Sequence, residues 1–341
     1  MAEVKNADSV LSGGPKRLAD FDFDLGAARP YRANGEDLIT VNGGETYRVN
    51  DSTLRKDEWE DLDDALVRVA RRRLNGISDL RNMGLTRQLG GLGSIISTRE
   101  KSTVPGQAQQ TMDGVSEGED SRQEFQLDGI PVPITFQDFG FSLRHLQASR
   151  NRGDSIDTTA AEEATRNVAE TMEDVLFTGS DVKARNYEIY GYTSHPDRNT
   201  GTLTATWTDD ANRDIIGDVS DMLADAYDDN ANGPFMLYIP QSYWSPVQED
   251  YKADSERTFA ERIRSFEDIE DIKPSTSLPD DNVVLVQMTS DVVQLHTAES
   301  LTTVEWETQG GMKLNLRVMA AEVPFVDADA NGQSGIVHYT A

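Results

Sequence analysis

The chain is 341 residues long and carries 60 acidic against 32 basic residues, a formal net charge of −28, with no cysteine. That balance excludes a disulfide framework, thiol catalysis and thiolate metal sites, and it argues against a nucleic-acid-binding surface, because neutralising phosphates takes clustered Lys and Arg. No apolar run approaches the roughly 18 residues of a membrane-spanning helix, and the first residues lack the basic-then-apolar signature of a secretion signal.

The charge is skewed as well as large: 37 Asp and 23 Glu face 24 Arg and only 8 Lys, spread along the whole chain. Scarce lysine with abundant aspartate fits a protein that works in concentrated salt, where a Debye length of about 3 Å at 1 M screens the self-repulsion. An ordinary acidic soluble protein is the alternative. The length exceeds one average core, so two or more subdomains, or one discontinuous domain, are expected.

Residues 1–56 have little apolar periodicity and many Gly, Asp, Asn and Arg residues, as in Gly13-Gly14-Pro15 and Val41-Asn42-Gly43-Gly44, and read as an arm that a neighbour must order. From Asp57 to Leu74 the pattern predicts a helix. Asp57, Glu58, Glu60 and Asp61 suit its positive end, Arg71, Arg72 and Arg73 its negative end, and Gly76 its stop, while Trp59, Leu62, Leu66, Val69 and Ala70 form its buried face. Residues 93–131 begin β-like at Ser94-Ile95-Ile96-Ser97-Thr98, run through a polar stretch and end at Glu124-Phe125-Gln126-Leu127. A polar insertion of that length points to a partner. A strand from Val132 to Ser142 and a short helix from Leu143 to Arg150 follow.

Asp157 or Ser155 then caps a long helix in which Ala161, Ala164, Val168, Met172, Val175 and Leu176 recur at helical spacing until Gly179 stops it. Its apolar stripe is narrow and made of small side chains, so it should lie along a sheet or a neighbour, with Glu162, Glu163, Arg166, Glu170, Glu173 and Asp174 covering the rest of its surface. Thr202 to Trp207 reads as hairpin-like. A second clear helix starts near Asp209 or Asp210, with Ile215, Ile216, Val219, Met222, Leu223, Ala226 and Tyr227 inward and Asp214, Asp218, Asp221, Asp225 and Asp228 as a solvated face. Pro234 to Pro240 is a short apolar strand, followed by a Ser242-capped turn and a helix around Thr258 to Phe266. The last third predicts strands over residues 283–288, 292–296, 301–308, 312–324 and 336–339, punctuated by Asp291 and Gly310-Gly311. Separated runs of strands and helices describe an α+β protein.

Nothing in the chain spells an active site. His145, His195, His296 and His338 share no ligand-like spacing and read as local hydrogen-bonding residues. Gly90-Gly91-Leu92-Gly93 lacks the lysine and helix of a phosphate loop. Asp327-Ala328-Asp329-Ala330-Asn331-Gly332 matches the first half of a calcium loop, making Asp327, Asp329 and Asn331 a weak cation candidate. Its twelfth position is His338 where a bidentate Glu is needed, so a polar turn is favoured. The Arg71-Arg72-Arg73 triplet reads as helix-end charge or as a pair for another subunit's acids.

The order of the central pieces carries more. A Val132–Ser142 strand, a Leu143–Arg150 helix, the Gly153-Asp154-Ser155-Ile156-Asp157 entry, Met172-Glu173-Asp174-Val175-Leu176-Phe177-Thr178-Gly179 and Tyr187-Glu188-Ile189-Tyr190-Gly191-Tyr192 stand in succession. This series resembles the tailed-virus major capsid proteins and their relatives, the encapsulins and linocin-type shell proteins, most strongly over about residues 125 to 195. Pro234 to Tyr243 resembles the entry into the axial domain of such subunits. The resemblance implies an N-terminal arm at 1–56, a peripheral domain beginning at 57–92, an extended E-loop at 93–131, the peripheral domain with its spine helix at 132–200, an axial domain at 201–300 and a return to the peripheral domain at 301–341. It implies subunit contacts through Arg71, Arg72, Arg73, Arg99, Lys101 and Arg122. It also implies self-assembly as pentamers and hexamers into an icosahedral shell around double-stranded DNA, scaffold, portal and decoration proteins as further partners, no membrane, no cofactor and no catalysis. Lys101 and Asn331 are the ingredients of the inter-subunit isopeptide bond some members form, although none is expected here. Inside the same fold the rival is a compartment that houses an enzyme; outside it, a soluble halophilic enzyme.

Overall fold

The computed structural model describes residues 31–32, 38–41, 45–48, 54, 56–102, 112, 125–152, 158–251, 257–309, 312–329 and 332–341. In chain order the elements are β1 (Tyr31–Arg32), β2 (Leu38–Val41), β3 (Glu45–Arg48), α1 (Lys56–Arg73), α2 (Gly76–Asn82), β4 (Thr86–Gln88), β5 (Ile96–Ser102), β6 (Phe125–Pro131), β7 (Thr135–Ser142), α3 (Leu143–Arg152), α4 (Thr159–Thr178), β8 (Ser180–Ala184), β9 (Tyr187–Ile189) and β10 (Asn199–Thr202). Then come α5 (Ile215–Asp228), β11 (Phe235–Pro240), a 3-10 turn (Gln241–Tyr243), α6 (Trp244–Val247), α7 (Phe259–Ile263), β12 (Ile269–Ser275), β13 (Asn282–Gln287), β14 (Val293–Thr308), β15 (Lys313–Val326) and β16 (Ile336–Thr340).

A five-stranded mixed sheet in the order β10-β16-β13-β11-β12 sits at the centre. Because side chains alternate across a strand, Met236, Tyr238, Val284, Val286 and Ile336 enter one hydrophobic core and Phe235, Leu237, Ile239, Val283, Leu285 and Val337 enter another. That two-sided burial is why β11 and β13 read as unbroken apolar runs. The second core is closed by α5, α6 and α7 through Ile215, Val219, Met222, Val247 and Ile263.

The first core is shared with α1, α2 and the long α4, which lie against a four-stranded sheet, β4-β14-β15-β7. Ala164, Val168, Ala169, Met172 and Leu176 of α4 meet Val318 and Ala320 of β15, and the small side chains allow the close approach. The C-terminus of α4 accounts for two of the spaced glycines. Gly179 takes φ 85°, which a side chain would resist, and Gly191 runs so close that a Cβ there would stand 2.7 Å from the Phe177 carbonyl oxygen. In that position Tyr192 N–H donates to Leu176 O (3.0 Å) and Thr193 N–H to Phe177 O (2.8 Å), satisfying carbonyls that the helix end leaves open.

Several expectations are corrected. Gly76 does not stop α1 but opens α2, because a Cβ would meet Leu176 Cδ2 at 2.6 Å. The α5 helix begins after Asp214, whose side chain accepts from Gly217 N–H, while Asp209 instead closes the preceding turn on Ala211 N–H and Asn212. Thr202 to Trp207 is no hairpin: β10 runs parallel to β16 and the chain then turns. Ser242 lies within the 3-10 turn and bonds Asp280 rather than capping it, whereas Thr258 does cap α7 on Glu261 N–H. The strands expected over 292–296 and 301–308 are one, β14, with irregular register between Thr297 and Thr302. Asp157 and Ser155, expected to cap the long helix, lie outside the described residues, and Thr158 occupies the cap position with its hydroxyl donating to Glu162 Oε1 (3.5 Å) and no side-chain bond to a backbone N–H of the first turn.

Candidate functional site

β5 and β6 pair antiparallel from Ile96↔Pro131 to Ser102↔Phe125 and form a two-stranded ribbon. Its root is held by Ile130 and Val132, which pack with Ile189, Val323 and Phe325. Ile95, Leu127, Ile134 and Phe136, on or beside this ribbon and the start of β7, are exposed large apolar side chains.

Of the six residues expected to contact other subunits, only Arg99 has a described side chain. Its Nη1 meets Asp327 Oδ2 at 2.9 Å, tying the ribbon to the end of β15 within the same chain. Arg71, Arg72 and Arg73 end α1 and Lys101 lies in β5, but their side chains, and Arg122 altogether, lie outside the described residues. The cation candidate is likewise divided. Asp327 is engaged by Arg99, Asp329 Oδ1 accepts from Gln333 N–H (2.8 Å) in a polar turn, and Asn331 lies outside the described residues. Among the described residues no three His, Asp or Glu side chains are placed to hold a metal ion, and no helix is long and apolar enough to cross a membrane.

Beneath the ribbon root lies a cleft of ≈ 330 Å³, lined by Asp128, Tyr187, Glu188, Tyr190, His195 and Asp197 among others. His195 Nδ1 accepts from Asp197 N–H at 3.2 Å and its carbonyl takes Arg198 Nη1 at 2.7 Å, a local hydrogen-bonding role. Arg198 Nε also donates to His338 Nδ1 (3.1 Å), so His338 is neutral and its Nε2 donates to Asn282 Oδ1 (2.7 Å). Burial and the Arg198 charge push His338 down to about 4. His296, stacked on Phe325 at 4.8 Å, is pushed down to about 4 by burial and by Arg87 and Arg99.

Two buried carboxylates were hidden among the helix surface residues. Asp218, expected on a solvated face, is 2% exposed and accepts from Thr204 N–H (2.9 Å), Thr204 Oγ1 (2.7 Å) and Trp207 Nε1 (2.8 Å). Glu173, expected on the outside of α4, is 2% exposed and accepts from Gly76 N–H (2.6 Å) and Ile77 N–H (3.4 Å). The signal for Glu173 was its spacing, four residues beyond buried Ala169 and eight beyond buried Thr165.

A family model described as a family of unknown function (DUF6260) matches residues 49–339. The chain belongs to this family. No curated protein matches the DUF6260 chain significantly in sequence. Among solved structures it is similar to a virus-like particle from Pyrococcus furiosus, at 17% identity and TM-score 0.56 over 82% of this chain and 98% of that one. It is also similar to the capsid of Myoviridae phage XM1, at 11% identity and TM-score 0.59 over 75% and 89%. A third likeness is to the capsid of an empty GTA particle, at 10% identity and TM-score 0.54 over 75% and 88%. At such identities the likeness establishes the fold, and that fold is the α+β fold of tailed-virus major capsid proteins.

Proposed function

We propose that this DUF6260 protein is a structural shell subunit, assembling as pentamers and hexamers into the icosahedral capsid of a tailed virus around double-stranded DNA. The observation that carries the reading is the shared fold, which spans 89% and 88% of two capsid chains. The ribbon and its exposed Ile95, Leu127 and Phe136 supply an apolar surface suited to a neighbouring copy. In this reading the ribbon is the E-loop, α4 the spine helix and the five-stranded sheet the axial part, which takes in β16 (Ile336–Thr340) and so reaches beyond the 201–300 limits expected for the axial domain. Arg71, Arg72, Arg73, Lys101 and Arg122 then serve subunit contacts, while Arg99 sets the ribbon against its own body. The charge of −28 with scarce lysine fits a shell from a salt-loving host, a haloarchaeon being the host class that this composition suits. Scaffold, portal and decoration proteins are further expected partners.

Negative-stain images of the purified protein in molar salt test the reading: closed particles are expected, and a small monodisperse species overturns it. A second reading, a compartment shell that houses another protein, is favoured by the virus-like particle of which 98% is covered. Double-stranded DNA inside particles isolated from the native source supports the virus; a bound protein cargo supports the compartment.

A further inference from the structure

Glu173 stands at the meeting of four elements. Its carboxylate takes the first N–H groups of α2, and the ammonium of Lys273, reaching in from β12, goes not to Glu173 but to Asp79. Asp79, one turn along α2, also accepts the Tyr238 hydroxyl of β11 at 3.0 Å. Tyr192, following β9, stacks on Tyr238 with ring centroids 6.1 Å apart. It is fully buried and its hydroxyl has no hydrogen-bond partner among the described residues. The remaining charge on α2, Arg81, turns away to Glu322 of β15, its Nη2 donating to both carboxylate oxygens. The chamber therefore holds two carboxylates and one ammonium, and with both acids ionised it keeps an uncompensated negative charge out of water.

Such a charge is expensive in a low-dielectric interior, and taking up one proton removes it. We propose that Glu173 is a proton-operated clasp: neutral, it locks α2 onto the long helix α4; ionised beside Asp79, it loosens α2 and with it the junction to β11 and β12. The neutral carboxyl keeps its carbonyl oxygen for Gly76 N–H and gains an O–H, for which the Tyr192 oxygen is an unused acceptor in the same chamber. Burial first, and the Asp79 charge in addition, lift Glu173 to about 7 against the backbone N–H groups of Gly76, Ile77 and Asn75 that favour its anion, so the clasp works near neutrality. The inference stands independently of the shell reading.

Two measurements on the full chain test it. Infrared spectroscopy should show a protonated carboxyl band in the wild type at about pH 6, lost by about pH 8.5, and missing at both values in Glu173→Gln. Over the same interval amide protection across residues 76–82, corrected for intrinsic exchange, should fall roughly tenfold in the wild type and stay constant in Glu173→Gln. Tyr192→Phe, which removes the acceptor for the neutral form, should move the midpoint to lower pH. A wild type without the band at about pH 6, or with pH-independent protection, overturns the proposal even if the Gln variant fails to fold. So does a folded Gln variant that keeps the wild-type decline.

Discussion

Asp218 lies on a helix face that sequence assigns to water, yet its two oxygens serve three donors contributed by Thr204 and Trp207. Asp218→Ala should leave those donors unsatisfied and cost about 2–4 kcal/mol, seen as a lowered denaturant midpoint and a change in Trp207 fluorescence. Asp218→Asn should also destabilise, since one amide oxygen cannot serve both the Thr204 and Trp207 sides. Among the buried titrating groups, His296, His338 and Glu173 illustrate the pH response, and burial also raises Glu322. His296 and His338 are held below their ordinary value, so the unfolded state binds protons that the folded state refuses, and stability falls as pH drops from about 6.5 through about 4. Glu173 has the opposite sign: its folded value is raised, so its contribution declines as pH rises from about 4.5 through about 7. Melting temperature should therefore peak slightly below neutrality, and Glu173→Gln should flatten the decline above that peak and steepen the rise below it, where the carboxyl and the two imidazoles oppose one another. Neither buried acid could be assigned from sequence with confidence of place, because the partners of Asp218 are 14 and 11 residues upstream and Gly76 is 97 residues from Glu173.

At the scale of elements, α1, α4 and the α5 body were legible because their apolar residues recur at helical spacing over three or more turns. Their ends were less so. Asp209, Asp210 and Asp214 are all plausible caps by residue type, and only the contacts of Trp207 and Arg213 with the body decide which one starts α5. β14 looked like two strands because its irregular register around Thr297 to Thr302 breaks the alternation without breaking the pairing. β12, edged and carrying Glu270, Asp271, Lys273 and Pro274, gave no periodic signal. The ribbon was read as a partner-seeking insertion, but its tie to the body was not visible, since Arg99 and Asp327 are far apart in the chain. Arg99→Ala or Asp327→Asn should leave thermal stability nearly unchanged while raising amide exchange over residues 96–102 and 125–131. Exchange identical to wild type in both variants would show that Ile130 and Val132 alone hold the root.

For the whole molecule, the charge of −28 sets the response to salt. The Debye length grows from about 3 Å at 1 M to about 30 Å at 0.01 M, so assembled particles should loosen or dissociate on dilution into low salt. Light scattering that reports equal size and heat resistance at both extremes counts against the halophilic reading. Denaturing gels of mature particles should show a single band near 37.7 kDa, since no isopeptide bond is expected; a ladder abolished by Lys101→Ala would reverse that.

The five-stranded sheet gives one side of each strand to one core and the other side to the second, so neighbouring residues such as Leu237 and Tyr238 answer to different halves of the molecule. Neither core can melt while the other keeps its wall. Calorimetry of the dissociated subunit should accordingly show one endotherm whose measured enthalpy equals the van't Hoff value, the mark of a two-state transition. A cavity cut at Leu237 and one cut at Tyr238 should lower that single transition together instead of splitting it.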